Sequence, residues 1–253
     1  MTLRLVRDGA VARLLIDRPE KRNAMTQAMW ETLPALVVEA MTDPEVRVLL
    51  LASATPGIFC AGADIDQFAA QSGAESWRIA NQAAIRASQY ALAHAEKPVI
   101  AAIDGDCVGG GCGLAIACDI RIASPRARLG ITPAKLGIVY SLFDTKLLVD
   151  LVGPGQAKRI LFTANLLGAE EALRIGLVEE LADDPDLAAT ALARTIAGNA
   201  RHSVRSTKGI VRKILDGQAD DDETTLRMFR DAFVLPEFSE GVGAFRDKRK
   251  PDF

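Results

Sequence analysis

Two glycine- and alanine-rich stretches carry the chain's clearest chemical promise: Cys60-Ala61-Gly62-Ala63-Asp64 and Gly109-Gly110-Gly111-Cys112-Gly113. Residues without bulk let a ligand come close to the backbone. Each stretch falls where a strand hands over to a helix, and a helix N-terminus offers unpaired N–H groups and partial positive charge. Two such loops side by side could aim two N–H donors at one oxygen, the arrangement called an oxyanion hole. Tight packing of strand against helix would explain each loop separately. Other uses of the glycines lack their partners. No Gly-Lys-Ser or Gly-Lys-Thr follows for a phosphate loop, and no GxSxG elbow is present. A dinucleotide fingerprint would need glycine or alanine at Leu114 and an acid between Asp119 and Asp144, where none occurs. The four cysteines, Cys60, Cys107, Cys112 and Cys118, have no CxxC spacing, and the two histidines, His94 and His202, lie far from them. That pattern predicts buried free thiols rather than a metal site, and leaves little material for a Ser-His-Asp triad.

The elements that would position these loops read as an α/β core. Residues 3–7 and 10–17 alternate around Asp8-Gly9, a hairpin signal. Thr26 can cap a helix to about Met41, with Met29, Leu33, Leu36, Val37 and Ala40 on one face. Residues 46–51, 99–103 and 120–123 are apolar strands, the first two unbroken as in strands buried on both faces. Residues 53–63 read as a loop, and the glycine cluster 105–113 opens a short helix at 114–118. Strands alternating with helices imply right-handed crossovers and a largely parallel sheet. From Asp144 onward, residues 144–152, 155–163, 169–175, 187–199, 203–215, 222–234 and 237–248 read helical, punctuated by Gly153-Pro154, Gly168, Gly176 and Asp184-Pro185. The division falls at an α/β core of residues 1–190 and a helical region of 191–253.

With 253 residues the chain can bury a full core unaided. Its net charge of −3 gives no general attraction to nucleic acid or anionic membrane. No apolar run reaches the ~18 residues of a membrane span, and the start, MTLRLVRDGA, has no apolar stretch of a secretory signal. A cytoplasmic protein with no membrane or nucleic-acid partner is expected. The last stretch, 237–253, mixes Phe238, Val242 and Phe245 with Arg246, Lys248, Arg249 and Lys250. It reads as an amphipathic helix with a solvated basic end, or as a basic end that could hold a phosphorylated nucleotide.

Six segments in order resemble the enoyl-CoA hydratase/isomerase family, the crotonases. They are Ile-Asp-Arg-Pro-Glu-Lys-Arg-Asn-Ala (16–24), Phe-Cys-Ala-Gly-Ala-Asp-Ile (59–65), Lys-Pro-Val-Ile-Ala-Ala-Ile-Asp-Gly (97–105), Gly-Gly-Gly-Cys-Gly-Leu-Ala (109–115), Cys-Asp-Ile-Arg-Ile-Ala (118–123) and the C-terminal segment 240–253. The resemblance implies a ββα spiral core with a helical trimerisation region, a homotrimer or dimer of trimers, and an acyl-CoA ligand with no cofactor beyond the CoA it carries. By motif position it implies an oxyanion hole from the N–H groups of Ala63 and Gly110. Ala61, Asp64, Ile65 and Asp66 would line the adenosine end, mostly through backbone atoms. Arg22 would offer a basic contact to CoA, and Phe245 and Lys248 would reach it from a neighbouring subunit.

The sequence departs from the family at the acid/base pair. Hydratases place one glutamate where Gly113 stands and a second where Pro133 stands. Hydration needs a carboxylate to activate water and a donor for the α-carbon, and neither residue has such a side chain. The segment holding Thr132, Tyr140 and Ser141 is similar to that of methylmalonyl-CoA decarboxylase-like members, where hydroxyls can orient a leaving carboxylate. Ser141 falls where some isomerases and dehalogenases carry an aspartate. Asp144 reads as the N-cap of the helix that begins there, with a substitute carboxylate as the competing reading. An acyl-CoA lyase or isomerase with non-standard acid/base groups, drawn from Tyr140, Thr132 or Asp144, is thus expected. The competing expectations are a decarboxylase and a catalytically silent acyl-CoA binder.

Overall fold

Gly9 takes a left-handed φ of 59° at the tip of the predicted hairpin, so β1 (Leu3–Asp8) runs antiparallel to β2 (Val11–Ile16), with Leu5 opposite Leu14. The computed structural model describes residues 2–253. From β2 the sheet grows in parallel through β3 (Val48–Ser53), β5 (Val99–Ile103), β7 (Ile120–Ala123) and β10 (Glu180–Leu181). A second sheet runs β4 (Ile58–Cys60), β6 (Asp106–Val108), β8 (Arg128–Gly130), β9 (Leu167–Gly168). Three passes of the chain, β3–β4, β5–β6 and β7–β8, therefore lay one strand in the large sheet and the next in the small one before a helix carries the chain round. That repeated ββα step is the expected spiral, and the fold class of the sequence reading is what the chain adopts. The small sheet was not expected: β4 lies inside the segment read as a loop, and β6 and β8 inside or beside glycine-rich stretches. Three residues are too few for a period to show.

The central strands β3 and β5 of the large sheet are buried on both faces, which explains their apolar runs. Leu49 and Leu51 point into the main core with α1 (Gln27–Thr42). Val48, Leu50, Ala52 and Ile100 point the other way, against α7 (Pro185–Ala197), whose Ala189 and Ala193 allow close approach. α7 runs unbroken through residue 190, where the sequence reading divides the chain. α1 packs on α3 (Glu75–Ala93). Pro34 inside α1 lacks an N–H, which frees the Trp30 carbonyl one turn earlier, and Ser88 of α3 donates its hydroxyl to that oxygen at 2.6 Å.

α2 (Ile65–Gln71) precedes α3, and the remaining helices follow the sequence reading within a few residues: α4 (Gly110–Ile116), α5 (Leu142–Thr163), α6 (Ala169–Arg174), α8 (Arg201–Leu215), α9 (Glu223–Ala232) and α10 (Pro236–Asp247). Two differences matter. α4 begins at Gly110 inside the glycine cluster, four residues before the expected start, because glycine is needed there by neighbours rather than by propensity. The two segments 144–152 and 155–163 are separated as expected at Gly153, whose φ of 71° and ψ of 165° are not helical, but the first starts two residues earlier, at Leu142. The last three helices carry little of the core. No α8 residue is buried, and only Thr225 of α9 and Ala244 of α10 are.

Candidate active site

The two predicted amides lie together. Met25 pairs with the backbone of the 60–64 loop as a single bridge, donating to Gly62 O at 2.7 Å and accepting from Asp64 N at 2.9 Å. A parallel bridge of this kind leaves the N–H of the residue between, Ala63, unused. Gly110 is the first residue of α4, so its N–H has no intrahelical acceptor. Neither N–H donates to any protein acceptor. The crossing is tight: a Cβ at Gly62 would lie 2.8 Å from Val108 O and 3.4 Å from Gly110 N, and Gly62 holds φ at 101°. A Cβ at Gly110 would lie 3.8 Å from Ala63 N and 3.0 Å from the Trp30 ring. The glycines are thus set by backbone approach, and they leave two N–H groups side by side, free to bind one oxygen.

One turn along α4, Gly113 faces a polar cluster. A Cβ there would overlap the Gln89 carboxamide end, 3.2 Å from its Cδ and 2.9 Å from the Tyr140 hydroxyl. With its amide nitrogen towards Asp144, Gln89 donates to both carboxylate oxygens, Oδ2 at 3.1 Å. The Tyr140 ring is half-buried, but its hydroxyl is sealed from solvent with no partner assigned. Burial, and then the Asp144 charge, push the Tyr140 hydroxyl well above its ordinary value. Burial likewise raises the Asp144 carboxyl, opposed by its contact with Ser141 and by the Arg86 charge.

Asp144 is not the N-cap expected from sequence. Ser141 caps α5, accepting from Asp144 N at 3.1 Å, and α5 starts at Leu142. A serine three residues before an acid at a helix start is the commoner cap arrangement, and the cap pulls Asp144 inward, where it is 4% exposed. The other two buried acids are paired: Asp64 with Arg18 at 2.7 Å, and Asp106 with Arg128 at 2.7 Å and with Arg22. Those partners hold both carboxyls below the ordinary range. Asp144 is therefore the one buried carboxylate without an ion pair among the described residues.

The other predicted positions spread around this centre. Ala61 spends its N–H on Arg22 O at 3.0 Å, so it offers a ligand no free donor there. The Asp64 side chain caps α2, accepting from Gln67 N at 3.1 Å. Ile65 is exposed, and Asp66 pairs with Lys21 at 2.8 Å on the surface. Thr132 leads into a short 3-10 helix (Pro133–Leu136) without capping it, with its hydroxyl 3.8 Å from where a Gly109 Cβ would be. Pro133 is the first residue of that helix. Phe245 on α10 is 86% exposed, and Lys248 ends α10 in a left-handed turn with φ 54°.

Sequence reasoning missed Gln89, Trp30 and Arg86. Gln89 and Trp30 are fully buried inside helices, and a glutamine in an alanine-rich helix gives no signal until Gly113 is seen opposite it. Trp30 was legible, since it lies three and seven residues before Leu33 and Val37. The cysteines and histidines are structural. All four thiols are buried and unbridged, with Cys60 and Cys118 pushed up to about 12 by burial. His94 stacks on Tyr90 with centroids 3.8 Å apart, and His202 Nε2 lies 2.7 Å from Met228 O.

Known proteins share this whole frame. The enoyl-CoA hydratase/isomerase family profile matches residues 7–253. The short-chain-enoyl-CoA hydratase of Clostridium acetobutylicum is 36% identical over 97% of this chain and 95% of its own. The crotonyl-CoA hydratase of Syntrophomonas wolfei is 34% identical over 98% and 96%. A crystal structure of an enoyl-CoA hydratase/isomerase family protein from Hyphomonas neptunium superposes with a TM-score of 0.97 at 40% identity, covering 100% of this chain and 97% of that one. Likeness of sequence and of backbone from end to end leaves one assignment: the chain belongs to the enoyl-CoA hydratase/isomerase family, and so among the acyl-CoA enzymes.

Proposed function

We propose that the protein moves a proton along an unsaturated acyl-CoA, shifting its double bond, with Asp144 as the single base. The observation that carries this reading is the buried, unpaired Asp144 beside the empty glutamate position at Gly113. Hydration has two proton tasks at once, activating water and protonating the α-carbon, and so calls on two groups. An allylic shift needs one. The base takes a proton from the α-carbon of a 3-enoyl thioester, and electrons flow onto the carbonyl oxygen between the Ala63 and Gly110 N–H groups. The same acid returns the proton at the γ-carbon, giving the 2-enoyl thioester. A carboxyl raised by burial suits both halves of that task. Tyr140 orients the dienolate from the other side of Gly113. CoA lies along the Ala61–Asp66 loop and Arg22, with Phe245 and Lys248 contributed by a neighbouring subunit of a homotrimer or dimer of trimers. No cofactor beyond the substrate's CoA takes part, and the enzyme works in the cytoplasm.

One observation favours a second reading, decarboxylation of a malonyl-type thioester. The buried Tyr140 hydroxyl has no assigned partner, the Thr132 hydroxyl caps no helix, and they lie 2.9 Å from a Gly113 Cβ and 3.8 Å from a Gly109 Cβ, as a pair orienting a leaving carboxylate would. Incubation with 3-enoyl-, 2-enoyl-, malonyl- and methylmalonyl-CoA in heavy water, read by mass, separates the cases. A bond shift with deuterium in the acyl chain and no added water is expected. Water addition to the 2-enoyl thioester as the main reaction overturns the single-base reading, and loss of carbon dioxide supports the second one. CoA retained with no turnover across the panel points to a silent binder.

A further inference from the structure

Gln89 occupies the space in which the family's hydratases carry a glutamate side chain. A Cβ at residue 113 runs into its carboxamide, so a residue-113 side chain and the Gln89 side chain in this rotamer exclude each other. The same carboxamide reaches Asp144: its nitrogen donates to the carboxylate, which leaves its oxygen on the side of Gly113 and the Tyr140 hydroxyl. Gln89 is fully buried on α3, so it has no solvent alternative for either end. We propose that Gln89 is the positioning residue of this site. It takes the lost glutamate's place, holds the Asp144 carboxylate towards the acyl ligand and links it to Tyr140, which commits the pocket to one-carboxylate chemistry. This rests on the reading of Asp144 as proton carrier.

The charged and titratable groups around Asp144 come from three directions. α3 brings Arg86, whose positive charge favours the ionised carboxylate. The segment before α5 brings Tyr140. α4 and β6 bring Cys112 and Cys107 against Tyr140, and burial drives the Cys107 thiol well above its ordinary value. Arg86 and Ser141 stay in place when Gln89 is replaced, so loss of the amide donor has a defined sign. A carboxylate that loses an N–H donor holds its proton more tightly.

The test reads Asp144 itself. Infrared difference titration of the carboxyl band, assigned against Asp144→Asn, is compared for wild type, Gln89→Leu and the near-isosteric Gln89→Met. The midpoint rises by about one pH unit in both variants, a tenfold tighter proton, and the acid limb of turnover moves with it. An unchanged midpoint in the folded variants overturns the proposal. A second measurement needs no titration. Gly113→Ala destabilises the wild-type chain more than the Gln89→Ala chain, and equal losses in the two backgrounds overturn the mutual exclusion. If the midpoint moves but Asp144→Asn keeps full turnover, the role of Asp144 falls and the Gln89–Asp144 pairing stands. If Asp144→Asn is inactive and the midpoint does not move, Gln89 alone falls.

Discussion

A buried carboxylate is costly to ionise, and in the proposed reaction that cost at Asp144 serves proton transfer. Asp144→Asn should lower turnover by about 10²–10⁴-fold, the usual worth of a general base, measured on a 3-enoyl thioester. It should also change stability with pH. Burial raises the folded-state pKa of Asp144, so the folded chain keeps this proton to higher pH than the unfolded chain. The stability so gained is full below the unfolded value of about 3.9 and is lost as pH rises through the folded value. The asparagine variant escapes that loss, so its urea midpoint relative to wild type should climb over that window and stay level below it. The amides admit an equally local test. Gly110→Ala and Gly110→Pro both push a Cβ against Trp30, but only proline removes the N–H. The first helical position tolerates proline, so kcat of the proline variant should fall about 10²–10³-fold below that of the alanine variant. Equal activities would refute the oxyanion assignment.

Helix starts and breaks decide where these side chains point. α5 begins at Leu142 because the Ser141 hydroxyl caps it, and that start turns Asp144 inward. The same helix is broken at Gly153, where φ 71° and ψ 165° lie in a region open to glycine, and Pro154 restarts it. Space is free around Gly153, with nothing near an added Cβ. Gly153→Ala should therefore cost backbone strain alone, about 1–3 kcal/mol in urea unfolding, with activity of the folded protein little changed. A stability unchanged within error would mean that the kink is not required. α4 makes the opposite case, since its glycines answer to Cys60, Trp30 and Gln89 pressed against it.

At the scale of the molecule, the C-terminal helices leave apolar side chains uncovered. Ile214 of α8, Phe229 of α9 and Phe245 of α10 are each more than half exposed, as are Phe233 and Val234 between them. These are side chains that the proposed assembly would bury. Sedimentation should accordingly show a species of at least three times the 27.1 kDa chain mass at micromolar concentration; a monomer there would contradict the proposed assembly. Phe245→Ala should raise KM for acyl-CoA with kcat held within about twofold, the pattern of a contact equal in ground and transition states. A fall in kcat with KM unchanged would remove Phe245 from CoA binding. The tail behind it is anchored locally, with Arg249 on Glu240 at 2.6 Å and Asp252 N on the same carboxylate at 2.7 Å.

Periodicity and punctuation are local properties, and they determined much of this protein. The Asp8-Gly9 hairpin, α1 from its Thr26 cap, the twice-buried strands β3 and β5, and the order of the C-terminal helices are all legible in the chain. Ala63 and Gly110 come instead from the resemblance, by motif position; the residues alone show two loops of small side chains where a strand hands over to a helix. The absence of carboxylates at Gly113 and Pro133 is likewise a fact of sequence. Tertiary structure alone decided what replaces them. Three-residue strands such as β4 and β8 have no period to read, so the small sheet that sets the glycine loops appears only when the large sheet is folded beside it. Asp144 becomes a buried carboxylate because Ser141, not Asp144, caps α5. Gln89 lies 24 residues from Gly113 and 55 from Asp144 in the chain; it meets both only because α3, α4 and α5 converge, and no local pattern encodes a contact between three helices.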